Sequence, residues 1–165
     1  MATSSTKKQS PAATKKVLDA TALLRADHKA VAGLFAEYKT LRSAAKKKAL
    51  VTKICTELSV HAQIEEEIFY PAVQKALKDR TLVPEATVEH ATMKGLIAEV
   101  EGKEPDGDMF DAKITVLAEY VTHHVKEEQG EMFAKAKTTS LDMRALGAKL
   151  AARKDELLAA RGTRQ

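Results

Sequence analysis

The sequence predicts an all-α protein, an up-down-up-down four-helix bundle with an additional C-terminal helix. Ala, Leu, Val, Lys and Glu dominate the chain, while Gly, Pro and aromatic residues are scarce and Trp is absent. That balance favours helix over strand, because straight side chains lose little rotamer freedom in a helix. Four segments repeat apolar residues at spacings of three and four, and turn residues punctuate the gaps between them. At 165 residues the chain suits one ordinary domain with a core of its own.

The first segment carries its stripe on Leu24, His28, Val31, Phe35 and Tyr38, with Asp19 placed to cap its N-terminus. A first loop is expected near residues 43–46. The second stripe is Ile54, Leu58, His61, Glu65 and Ile68, and Pro71 is expected to kink or end that helix after Phe69 and Tyr70. The third is Ala86, His90, Met93, Ile97 and Val100, with Pro84 suited to its first turn. Residues 102–107, with two Gly and one Pro, read as a loop, and Asp106 or Asp108 can cap the next helix. The fourth stripe is Phe110, Ile114, Leu117, Val121, His124 and Glu128. A fifth, amphipathic helix is expected from about Ser140, presenting Leu146, Leu150 and Leu157 to the outside of the bundle or to a protein partner. The expected organisation is a disordered basic tail over 1–16, the bundle over 17–137, and the last helix with its tail over 138–165.

Charge and hydropathy narrow the function classes. Of 27 basic side chains four lie in the tail, Lys7, Lys8, Lys15 and Lys16, leaving 23 to balance 23 acidic ones. A neutral body with a short basic tail argues against a nucleic-acid partner. No apolar run approaches membrane-spanning length, and the tail lacks the apolar stretch of a secretory signal. The single Cys55 has no internal partner for a disulfide and is expected to be an inert, partly buried thiol. These features together predict a cytoplasmic protein.

The stripes that face the core also carry polar residues: His28, His61, Glu65, His90, His124 and Glu128. Burying carboxylates beside imidazoles without compensation is costly, and a bound cation supplies the compensation. The six residues belong to an approximate tandem repeat. Asp27-His28 is followed after 33 positions by His61-Ala-Gln-Ile-Glu65, and Glu89-His90 after 34 positions by His124-Val-Lys-Glu-Glu128. Beyond each Glu, Ile68-Phe69-Tyr70-Pro71 answers Glu131-Met132-Phe133-Ala134. His and Glu at i and i+4 share a helix face, with Cβ atoms roughly 6 Å apart. The midpoints of the two histidine pairs fall near the predicted loops, so each antiparallel hairpin levels its histidines and two hairpins close a cage. Four imidazoles and two carboxylates suit two ions, with Glu65 and Glu128 bridging. The ligand types alone fit Fe, Mn, Zn or Cu. A ferritin-like bundle would place Glu three residues before His, where this chain has Arg25, Leu58, Thr87, Tyr120 and Val121.

On these residues, namely Asp27-His28, the run from His61 to Pro71, Glu89-His90, and His123 to Glu128 with Met132-Phe133, the sequence resembles the hemerythrin-like, or HHE cation-binding, family over about residues 20–137. The resemblance implies an oxo- or hydroxo-bridged centre of two iron ions, binding or reacting with dioxygen, peroxide or nitric oxide, or sensing iron and redox state. Oxygen-carrying members place a further histidine four residues after the third-helix histidine; here that position is Lys94. The departure weakens the case for reversible oxygen carriage relative to redox or iron response and peroxide-decomposing activity. An iron store or sensor without catalysis and a metal-free helical interaction module stay open as alternatives.

The remaining polar residues have plainer expectations. His123 lies about 100° around its helix from His124 and should face solvent. Glu66, Glu67, Glu127 and Glu131 read as solvated faces and Lys94 as a solvated side chain, with a reach toward the pocket, one turn from His90, as the alternative. Asp27 and Glu89 are candidates to hydrogen-bond a ligand imidazole. Tyr70 and Tyr120 read as packing residues, with lining the centre or donating a hydrogen bond there as the alternative, and Phe35, Phe69, Met93 and Met132 as the apolar wall of the centre.

Overall fold

The computed structural model describes residues 16–162, so all of the expected basic tail except Lys16 lies outside the described residues. Every regular element among the described residues is helical: α1 (Ala20–Tyr38), α2 (Ala44–Ile64), α3 (Tyr70–Leu77), α4 (Leu82–Val100), α5 (Asp108–Glu127), α6 (Phe133–Ala136) and α7 (Met143–Gly162). A π turn, Glu65–Phe69, joins α2 to α3, and a second, Glu128–Met132, joins α5 to α6. These give the bundle four legs: α1, α2 with α3, α4, and α5 with α6. No helix of the described residues is long and apolar enough to cross a membrane.

Local chemistry fixes the ends. The Asp19 carboxylate accepts the Ala22 N–H at 2.9 Å and starts α1. The first connection is residues 39–43, earlier than the sequence suggested, because the Ser43 hydroxyl caps α2 by accepting the Lys46 N–H at 3.3 Å. Asp79, rather than a residue closer to Pro84, starts α4 by accepting the N–H groups of Leu82 and Val83 at 3.1 and 2.8 Å. Gly107, at φ 117°, precedes α5. Asp108 is therefore already inside the first turn, and neither it nor Asp106 caps the helix. Asp142 caps α7 through the Ala145 N–H.

The apolar stripes pack as two layers. One, nearer the hairpin loops, includes Val31, Phe35, Ile54, Met93, Ile97 and Leu117. The other, at the opposite end, includes Leu24, Ile64, Phe69, Val73, Phe133 and Leu150. The histidines and glutamates lie between them along every leg. At the loop end Asp111 joins the hairpins, accepting from the Tyr38 hydroxyl at 2.6 Å and from Lys47 Nζ at 2.9 Å. Cys55 is completely buried, deeper than expected, and burial first, with the charge of Glu101 adding to it, pushes its thiol up to about 12.

Helix α7 packs on α1 and α2. It buries Leu146 and Leu150, half-buries Leu157, and ties down through Arg153 to Glu67 and Lys154 to Asp27. Gly147 lets the two backbones meet: a Cβ there would strike the Leu18 carbonyl oxygen and sit 2.8 Å from the Asp19 carbonyl carbon. Gly147→Ala should therefore lower stability by roughly 2–3 kcal/mol. Gly33→Ala, in the open interior of α1, should raise it by about 0.5 kcal/mol. Urea midpoints of the two variants measure both effects.

Candidate metal centre

Each leg supplies one imidazole: His28 from α1, His61 from α2, His90 from α4 and His124 from α5. The two carboxylates open the two π turns. There the Tyr70 N–H reaches back to the Glu65 carbonyl and the Phe133 N–H to the Glu128 carbonyl, five residues rather than four. The wider turn advances the helix phase by one residue. Phe69 and Tyr70 both face inward after Glu65, as Met132 and Phe133 do after Glu128, while Ile68 is turned half outward and leaves the stripe assigned to it. Pro71 does not end the helix, because it falls in the first turn of α3, where a missing N–H is tolerated.

The structure brings all six sequence-predicted residues together. His28 Nε2 lies 3.0 Å from His61 Nε2, and His90 Nε2 lies 3.1 Å from His124 Nε2. Each glutamate spans the pairs. Glu65 places Oε1 3.0 Å from His61 Nε2 and Oε2 3.2 Å from His90 Nε2. Glu128 places Oε1 3.2 Å from His28 Nε2 and Oε2 3.4 Å from His124 Nε2. Five of the six are buried, and His61 is half-buried.

Every imidazole turns its other nitrogen to a support. His61 Nδ1 faces Asp27 at 3.1 Å, His124 Nδ1 faces Glu89 at 2.5 Å, His90 Nδ1 faces Glu66 at 2.9 Å, and His28 Nδ1 faces Gln129 Oε1 at 2.9 Å. The repeat orders these too. Asp27 and Glu89 serve the second histidine of their own hairpin, whereas Glu66 and Gln129, each following its glutamate, serve the first histidine of the other hairpin. Glu66 is thus no solvated face, and Lys94 reaches it rather than the centre, at 2.7 Å. Gln129 was missed by sequence reasoning, although its equivalence to Glu66 in the repeat was a usable signal. His123 is exposed as expected, and Tyr120 is exposed rather than packed.

An imidazole whose Nδ1–H donates to a support presents the lone pair of Nε2 inward. Lone pairs and carboxylate oxygens thus converge on the same space. Glu65 Oε1 and Glu128 Oε1 are buried without a hydrogen bond, even though imidazole nitrogens lie 3.0 and 3.2 Å away, because those contacts lack hydrogen-bond geometry. A cluster so rich in acceptors fits cations. His28, His61, Glu65 and Glu128 bring ligand atoms within 4.8 Å of one another, and so do Glu65, His90 and His124.

Besides the exchange of Glu66 for Gln129 among the supports, the two halves differ by a hydroxyl inside the layer. Tyr70 donates to Glu128 Oε2 at 2.6 Å, and its oxygen lies 3.2 and 3.3 Å from His90 Nε2 and His124 Nε2. Its repeat counterpart Phe133 instead stacks on His28, with centroids 6.0 Å apart. The electrostatics are those of excess negative charge. Burial opposes a charged His61, but Glu65, then Asp27, outweigh it and hold the imidazole at about 10. Burial likewise opposes a charged His124, which Glu128 holds at about 9. Burial acts to raise Glu128, yet the His124 and His28 imidazoles beside it keep it well below the usual carboxylate range. Burial, followed by the charges of Glu65 and Glu128, drives the Tyr70 phenol well above its ordinary range. Protons occupy this cluster unless cations take their place.

Two clefts reach the layer. One of about 530 Å³ opens toward the hairpin loops, where all four histidines meet Val31, Leu58, Met93, Ile97 and Val121. A smaller one of about 260 Å³ lies toward α3 and α6 and is lined by Glu85, Glu89, Glu127, His124 and Glu128.

Comparison with known proteins agrees with this geometry. The family model described as Hemerythrin HHE cation binding domain matches residues 19–136. A solved structure of a hemerythrin HHE cation binding domain-containing protein from Mycobacterium kansasii superposes with a TM-score of 0.74 at 22% identity, covering 87% of this chain and 89% of that one. A curated relative from Nostoc sp., named a DNA nickase, is 30% identical over 112 residues, which is 68% of this chain but only 32% of that protein.

Two outcomes follow from the site. Glu66→Ala should weaken metal affinity about 10–100-fold through His90, while Glu131→Ala, on the exposed side of its turn, should leave it unchanged; equilibrium metal titration separates them. Because His61 and His124 are held above neutrality when no ion is bound, they are protonated at pH 7 and must lose those protons to act as ligands. Metal binding at pH 7 should release roughly two protons per chain, and affinity should fall as pH falls. Calorimetry in buffers of different ionisation enthalpy counts the protons.

Proposed function

Because this chain belongs to the hemerythrin HHE cation-binding family, we propose that its buried layer holds two iron ions and serves a non-haem di-iron protein that binds or reacts with dioxygen, peroxide or nitric oxide. The observation that carries the reading is the pair of straddling glutamates, each with one oxygen toward each histidine pair and each with an unpartnered Oε1. His28 and His61 would hold one ion, His90 and His124 the other, with Glu65 and Glu128 between them. Tyr70 adds an oxygen on the His90 side.

Two irons together supply a two-electron couple, which suits peroxide decomposition in a redox or oxidative-stress response. The protein's part is to orient and to exclude water. Supports on Nδ1 fix each ring, and the apolar residues of the larger cleft admit a small neutral ligand while limiting bulk water. Tyr70 holds a proton at its hydroxyl 2.6 Å from Glu128, positioned beside the histidines. A reducing cytoplasm is the setting this reading assumes.

Iron sensing is a second reading, favoured by one contact: Lys154 of α7 pairs with Asp27 at 2.5 Å, and Asp27 supports His61. Occupancy of that half of the layer is thereby linked to a helix outside the four legs. DNA nicking stays with the Nostoc protein, of whose length this chain matches about a third.

Metal analysis of the purified chain tests the proposal. About two irons per chain with a near-ultraviolet band of a bridged centre are expected, and Glu65→Ala should lower the content to about one or less. Oxygen release on adding peroxide then distinguishes catalysis from storage or sensing. A wild-type chain that takes up no iron under reducing or oxidising conditions sinks the reading.

A further inference from the structure

The two ends of the metal layer are unlike in polarity. Around the histidines, the cleft toward the loops is walled mainly by apolar residues, with Asp27 and Glu57 balanced in part by Lys94, whereas the cleft toward α3 and α6 sets three carboxylates and no basic residue, Glu85, Glu89 and Glu127, above a floor of His124 and Glu128. At that rim His123 Nε2 lies 3.2 Å from Glu127 Oε1 and 3.6 Å from Glu89 Oε1. Donor atoms of Glu89, His123 and Glu127 all lie within 4.8 Å of one another.

The rim is not part of the duplication. By the repeat, His123 corresponds to Val60 and Glu127 to Ile64, both buried and apolar. It also lacks the lysine partner that other outer carboxylates have. Asp27 and Glu66 are each paired with a lysine, Lys154 and Lys94. Among the described residues no lysine or arginine pairs with Glu85, Glu89 or Glu127.

We infer that this cleft is the loading route for divalent cations, with Glu89, His123 and Glu127 forming a surface capture site that hands the ion inward. The inference rests on the reading that the buried layer holds metal. Imidazole with two carboxylates suits ions such as Fe²⁺, Co²⁺, Mn²⁺ or Zn²⁺. His123 and Glu127 are both exposed, so the rim binds weakly and exchanges with water. Glu89 touches both sites, with Oε2 on His124 Nδ1 and Oε1 toward His123. On the floor, Glu128 is 3% exposed; its Oε2 faces His124 and accepts from Tyr70, while its Oε1, toward His28, has no hydrogen bond. An ion moving from rim to floor thus passes from exposed carboxylates to a buried one whose far oxygen still lacks a partner. Neutral ligands have the opposite, apolar mouth.

The test uses the full chain, stripped of metal by chelation and mixed anaerobically with Co²⁺ alone, whose absorption reports occupancy of the buried site. A His123→Gln/Glu127→Gln double variant should load about tenfold more slowly at limiting metal, as loss of a focusing rim predicts, with final stoichiometry and spectrum unchanged. Glu127→Lys, a single exposed change, should slow loading further. Glu57→Gln, at the apolar mouth, should load at the wild-type rate. Wild-type rates in both rim variants, or equal slowing by Glu57→Gln, would overturn the route while leaving the metal layer intact. A wild-type chain that binds no Co²⁺ takes down both.

Discussion

Glu65 and Glu128 are carboxylates sealed between two apolar layers, each with an oxygen that makes no hydrogen bond. An uncompensated buried charge of this kind costs several kcal/mol, so a bundle with two of them is stable only where positive charge is brought to them. Four histidines, one from each leg, stand around that charge and are themselves oriented by Asp27, Glu66, Glu89 and Gln129. The π turns serve the same need, since a helix of regular pitch would not place the glutamate and the two aromatic positions that follow it all on the inner side. Even the apolar layers take part, because a drier surrounding strengthens every electrostatic contact inside it.

Symmetry explains much of the centre, and its breaks carry the information about use. The halves share histidine spacing, π turns and supports, but Tyr70 faces one pair and Phe133 the other. Lys94 and Lys154 neutralise two of the outer carboxylates, and Glu89 is left facing His123 instead. Lys94 stands where oxygen carriers of this family would place a fifth histidine. Its role is indirect, since it grips Glu66, which steadies His90. The position has exchanged a seat at the metal layer for a hold on one of its supports.

The stripes, the repeat and the residues to be buried were legible in the sequence because they depend on helix period and on chain distance, both of which a sequence states directly. Every inward position assigned to α1, α4 and α5 is buried. Ile68 was misplaced because a π turn leaves no mark in apolar spacing, and its phase shift appears only once the hydrogen bonds are seen. The supports were half legible. Asp27 and Glu89 stood out by preceding histidines, but Glu66 and Gln129 reach across to the other hairpin, and no spacing within one hairpin encodes that. The first loop shifted because Ser43 competes as a cap with the helix-forming run of lysines behind it, a balance of small energies.

Gly147 and Lys154 draw the last helix onto the start of the first, and the Lys154–Asp27 pair joins residues 127 positions apart. The loop that this contact closes contains all four legs from His28 onward, so its entropic cost falls late and is met only after the hairpins have formed. On a ribosome the four legs are made before α7 emerges. The half of the layer containing His61 therefore acquires its full set of neighbours only after α7 has been made, which ties a late step of folding on the outside of the bundle to the innermost site.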